Sequence, residues 1–137
     1  MQSSINALLD IARTKFLDPD LNVRIEALEK LWDAWERLKT IEDPSDKKHS
    51  IQILLNESTS DPNFRIVLET EAIALTKIGN DFRIRHSEVS RAPIQSIEQV
   101  DYLFYRCFAL IHLLLRLTGK LSTKKDRPVK PSINFTF

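Results

Sequence analysis

Apolar residues recur at every third or fourth position through most of this chain, the spacing that gathers them on one face of an α-helix. Ile5, Leu8, Leu9, Ala12 and Phe16 form the first such stripe and predict a helix over about 4–17, ended by Asp18-Pro19-Asp20. A stronger stripe follows from Asp20, a side chain suited to N-capping, with Ile25, Leu28, Leu31, Trp32, Trp35 and Leu38 in register. Glu26 with Lys30, and Asp33 with Arg37, stand four residues apart on the opposite side, where such pairs support a helix. This second helix is expected to stop near Thr40, before Glu42-Asp43-Pro44. Ser45 is expected to cap a third helix carrying Ile51, Leu54 and Leu55. Asp61-Pro62 supplies the cap and first-turn proline of a fourth, whose stripe is Phe64, Val67, Leu68, Ala72, Leu75 and Ile78.

Ser96 and Gln99 have the spacing of a capping box and open the last helix, expected to run to about Thr118 with Gly119 just past its end. Val100, Leu103, Phe104, Cys107, Phe108, Ile111, Leu114 and Leu115 cover more than a narrow stripe, so this helix is central to the bundle or shared with a second copy of the chain. The expected fold is all-α: a compact bundle of about five helices over residues 1–119, with the second, fourth and last helices forming its core. Residues 120–137 are expected to form a flexible basic tail, with Lys120, Lys124, Lys125, Arg127 and Lys130 against Asp126. Its apolar ending, Ile133-Asn134-Phe135-Thr136-Phe137, is suited to docking on the domain or on a partner.

Composition narrows the picture further. Only two glycines in 137 residues argue against a Gly-rich phosphate loop and against a turn-dense all-β fold. A hydrophobic content of 42% suffices for a single core. Twenty Lys and Arg against nineteen Asp and Glu leave a net charge of +1, so any attraction to nucleic acid must be local. Cys107, the single cysteine, lies in the most apolar stretch and reads as core. The polar residues after Met1 do not form a targeting segment, and the apolar run from Cys107 to Leu115 is too short to span a bilayer. The expectation is a soluble, cytoplasmic chain.

Side chains capable of chemistry converge once, where the fourth stripe ends in Gly79-Asn80-Asp81-Phe82-Arg83-Ile84-Arg85-His86. A histidine titrates close to neutrality and serves as acid or base, and guanidinium groups match phosphate oxygens. The same residues also serve a plainer purpose, since cations at a helix C-terminus stabilise its dipole. Elsewhere His49 falls on a polar stretch and reads as solvated, while His112 reads as a core or interface residue. No metal is expected, because no pair of His, Cys or carboxylates has metal-ligand spacing and Cys107 and His112 do not share a helical face; no cofactor is expected either. Trp32 and Trp35 are in register with Leu28, Leu31 and Leu38 and read as core, not as base-stacking platforms.

Leu28-Glu29-Lys30-Leu31-Trp32-Asp33-Ala34-Trp35-Glu36-Arg37-Leu38-Lys39, followed downstream by Ile78 to His86, resembles the carboxy-terminal domain of bacterial abortive-infection proteins, part of the HEPN superfamily. The resemblance covers most of the chain from the second helix to the last. It implies an all-α, frequently dimeric domain of phage defence, and a metal-independent endoribonuclease or a degenerate RNA binder. The superfamily's signature is Arg, commonly followed by Asn, with His a few residues later. Asn80 and His86 match it, whereas Gly79 stands where that Arg would be.

The roles implied are His86 as general base or acid toward the ribose 2′-OH, Arg83 and Arg85 on the scissile phosphate, and Asn80 orienting one or the other. The product of such cleavage would be a 2′,3′-cyclic phosphate. Arg83, Arg85, Arg91, Lys124 and Lys125 are the expected RNA-binding residues. RNA, a second copy of the chain, and an amino-terminal domain or separate partner protein are the expected partners. The alternative is a non-catalytic homodimerisation or regulatory module, with the last helix and the apolar ending as its working surface.

Overall fold

The computed structural model describes residues 2–82, 84, 94 and 96–121. Five α-helices account for most of them: α1 (Gln2–Phe16), α2 (Leu21–Leu38), α3 (Lys47–Ser58), α4 (Pro62–Phe82) and α5 (Ile97–Leu117). No strand occurs among the described residues. The chain is an all-α bundle, as the apolar spacing requires.

The caps explain where the helices begin. The Asp20 carboxylate accepts from the Asn22 backbone N–H, and Ser96 with Gln99 closes a reciprocal capping box at α5. Asp61 accepts from the Asn63 N–H at 2.9 Å ahead of Pro62. At α3 the cap is Asp46, not Ser45: its carboxylate accepts from the His49 N–H at 3.1 Å. The Ser45 hydroxyl donates instead to Asp43 at 2.8 Å, holding the turn before the helix. Gly119 ends α5 at φ 73°, in the left-handed region that glycine enters without strain.

α1 lies along α2, and α2 packs in turn on α5; α3 and α4 flank α5. Ala27, Leu28, Leu31, Trp32, Trp35 and Leu38 of α2 meet Cys107, Ile111, Leu114 and Leu115 of α5 in a fully buried core. α4 contributes an edge to that core through Leu68, Ala72 and Leu75. Phe64 and Val67, expected on the same stripe, are exposed, as are Ile66 and Ile73, because α4 lies on one side of the bundle and no other described helix packs over its outer face.

Polar ties fix the helices to one another. Arg24 pairs with Asp101 at 2.8 Å, and the Arg106 guanidinium grips both Glu71 carboxylate oxygens at 2.6 and 2.9 Å. Lys120 is held by Glu42 at 2.9 Å and by Glu57 at 3.5 Å, so the chain just past α5 is anchored to α3 and to the turn before it. Burial opposes charge on that lysine, but the two carboxylates outweigh it and raise its pKa. Glu26 pairs with Lys15 of α1 at 2.9 Å. The rest of the expected tail, 122–137, lies outside the described residues.

Candidate functional site

The C-terminal half of α4 is set by two tryptophans of α2. Trp32 Nε1 donates to the Leu75 carbonyl at 3.2 Å, and Trp35 Nε1 donates to the Thr76 hydroxyl at 3.3 Å. The Trp32 indole lies directly against Gly79. A Cβ built there would fall on Nε1 and only 2.7 Å from Cδ1 of a ring that is itself buried and cannot swing aside. The residue before Asn80 is therefore glycine because α4 approaches the Trp32 ring too closely for any side chain. Asn80 follows on the exposed side of the same turn, and Asp81 is engaged by Lys77 at 2.7 Å. Past Phe82, Ile84 is buried, and its N–H reaches back to the Gly79 carbonyl at 3.1 Å.

Of the residues singled out for RNA chemistry, the structure thus places Asn80. Arg83, Arg85, His86, Arg91, Lys124 and Lys125 lie outside the described residues.

Beside this helix end is a buried polar knot that the sequence pattern did not disclose. Lys39 is 1% exposed, yet its ammonium bonds Glu36 at 2.8 Å and the Thr76 hydroxyl at 3.0 Å and lies 5.4 Å from the centroid of the Trp35 ring. Burial pushes the Glu36 carboxyl up, but Lys39 and Lys47 outweigh it and leave its pKa lowered. Cys107 lies within the same electrostatic neighbourhood, and burial raises its thiol well above the ordinary range. A buried, protonated thiol is a core residue and not a nucleophile.

At the start of α3 the ligand atoms of Asp43, Asp46 and His49 lie within 4.8 Å of one another. Each is already engaged. His49 Nδ1 meets Asp43 at 2.9 Å, the other Asp43 oxygen accepts from Ser45, and Asp46 caps the helix. These bonds account for the grouping as turn and cap chemistry. The exposed His49 is thus paired, and not merely solvated.

A groove runs between α1 and α5, which lie antiparallel: Asn6 Nδ2 meets the Lys120 carbonyl at 3.5 Å at one end, and Phe16 stacks on Phe104 at the other with ring centroids 4.0 Å apart. Asp10, Arg13, Thr14, Phe16, Leu17, Phe104, Tyr105 and Phe108 line an open volume of about 540 Å³. Phe104 stacks on Phe108, which stacks on His112, so the aromatic wall continues beyond the groove. Burial lowers the His112 pKa, and the nearby charges of Arg116 and Arg13 lower it further. The apolar spacing assigned Phe16, Phe104 and Phe108 to the core. The signal overlooked was the neighbouring row Asp10, Arg13, Thr14 and Leu17, which sets charge and an exposed leucine beside that aromatic stripe.

Set against protein-family models, curated proteins and solved structures, the chain matches none. Among the described residues no helix is long and apolar enough to cross a membrane.

Proposed function

We propose that this chain is a HEPN-like helical domain of the abortive-infection type, acting in bacterial phage defence and engaging RNA at the C-terminal end of α4. The supporting observation is the exposed Asn80 on the last turns of α4, immediately ahead of Arg83, Arg85 and His86 in the sequence. Gly79, closed against Trp32, leaves no room for the signature's arginine. Its absence removes a cation from the phosphorane and favours RNA binding over RNA cleavage.

The test is an RNA shift measured over a range of salt, with cleavage of total and transfer RNA followed in EDTA. Binding should weaken steeply with salt, and a folded Arg83/Arg85 double alanine variant should lower the salt slope by about 1.4. Cleavage that survives EDTA and is lost in His86→Ala would make the chain a metal-independent nuclease instead. Absence of RNA binding at low salt would overturn the reading.

A second reading, the homodimerisation module, is favoured by a different observation: the open, apolar groove between α1 and α5.

A further inference from the structure

We propose that the groove between α1 and α5 is an isologous interface that receives a second copy of this chain, with Asp10 and Arg13 of each copy paired to Arg13 and Asp10 of the other. The proposal rests on the homodimer reading and assigns it a surface and a recognition code.

Three features of the groove support it. Its lining is aromatic and apolar, and Leu17 at 79% and Tyr105 at 64% exposure stand at its rim. Contiguous apolar surface of this kind is costly to leave in water and marks contact sites. Next, Asp10 and Arg13 both line the groove, three positions apart on α1, and neither joins an ion pair with another described residue. Thr14 meanwhile spends its hydroxyl on the Asp10 backbone carbonyl at 3.0 Å, so it does not donate to the Asp10 carboxylate, and Asp10 is exposed.

The charge pattern then selects the occupant. A two-fold axis crossing α1 between Asp10 and Arg13 sets two α1 helices antiparallel. Position 10 of each then faces position 13 of the other, so that both contacts are attractive. A uniformly acidic or basic ligand would find one of the two groups opposing it. A second copy satisfies both and covers Leu17 and Tyr105 at once. Removing water from around these pairs strengthens them and fixes the register of the contact.

The test is charge exchange on the full chain, followed by sedimentation over a range of protein concentrations at low salt. Asp10→Arg sets like charges opposite one another, and so does Arg13→Asp; each variant alone should self-associate at least about tenfold more weakly than the parent chain. An equimolar mixture of the two should form a heterodimer, because every facing pair is then opposite in sign. The double exchange Asp10→Arg with Arg13→Asp should restore the homodimer. Leu17→Lys tests the apolar part and should also weaken association.

All three positions are exposed, so circular dichroism should report unchanged folding. A dimer indifferent to all of these substitutions would overturn the groove interface while leaving the homodimer reading intact. A parent chain that stays monomeric would overturn both.

Discussion

The polar knot at Lys39 and the groove at Arg13 both set a cation beside aromatic rings, yet they stand at opposite ends of the energetic scale. Lys39 is enclosed by Trp35, Thr76 and Glu36, so its charge is balanced within the fold. Arg13 faces water beside Asp10, Tyr105 and Phe108, and its charge helps to lower the His112 pKa. A charge balanced inside is costly to remove because its partner is left unpaired, whereas under the proposed interface a charge at an aromatic rim would serve recognition. Substitutions on the two sides should therefore read out in different measurements.

The largest effect is expected at Trp32, the fully buried ring that joins α2 to α4. Trp32→Ala should cost about 3–5 kcal/mol of unfolding free energy, from the cavity left and from the Leu75 carbonyl losing its donor. Urea denaturation measures it directly. A cost below about 1 kcal/mol would mean that α4 is not held by this ring.

Lys39→Ala comes next. Removing one partner of a buried pair costs about 3 kcal/mol, even with Lys47 still 3.3 Å from Glu36 to moderate the loss. The acid limb of the stability curve should change with it. The Glu36 pKa is lowered in the folded state, so its contribution is present above the unfolded value of 4.5 and is lost as pH falls through the folded value. Without Lys39 the Glu36 pKa should rise, and that acid-dependent loss should shrink.

Gly79→Ala weighs two opposed terms. Alanine in a helix gains about 1 kcal/mol over glycine, but the new methyl overlaps the buried indole, and overpacking costs about 1–3 kcal/mol. The expected net is a loss of about 1 kcal/mol, with altered Trp fluorescence as the local signature. A gain in stability would show that α4 slides away from Trp32 with ease.

How much of this was legible in the sequence depends on the range over which each feature is determined. The helices and most of their caps follow from neighbours a few residues apart, and Ser96 with Gln99 behaves as its spacing requires. Ser45 and Asp46 both suit an N-cap, and the choice between them depends on the turn that Asp43 builds, which adjacent residue types do not specify. The Lys39 knot was hidden because its partner Thr76 lies 37 positions away, while lysine is ordinarily a surface residue. Phe64 and Val67 carried a core signal that tertiary placement overrode. The groove needed two helices from opposite ends of the sequence before Asp10 and Arg13 acquired a common setting. At the candidate RNA site the sequence placed Asn80 at the close of α4; the reason for Gly79 beside it required the position of Trp32.

The smallest effect separates the enclosed charge from a peripheral one. His49 and Asp43 meet at 2.9 Å on the surface, and that hydrogen bond raises the His49 pKa above 6.5 and lowers that of Asp43 below 3.8. The sign follows from linkage. The histidine's contribution is complete below 6.5 and fades as pH rises through its raised value, while the aspartate's is complete above 3.8 and fades as pH falls through its lowered value. The pair is therefore intact between those limits and weakens on either side. Asp43→Asn should return the His49 titration, followed by its ring-proton NMR shift, toward 6.5 while leaving the urea midpoint almost unchanged. If the midpoint moved as far as in Lys39→Ala, exposure would not be what distinguishes a structural charge from a peripheral one in this bundle.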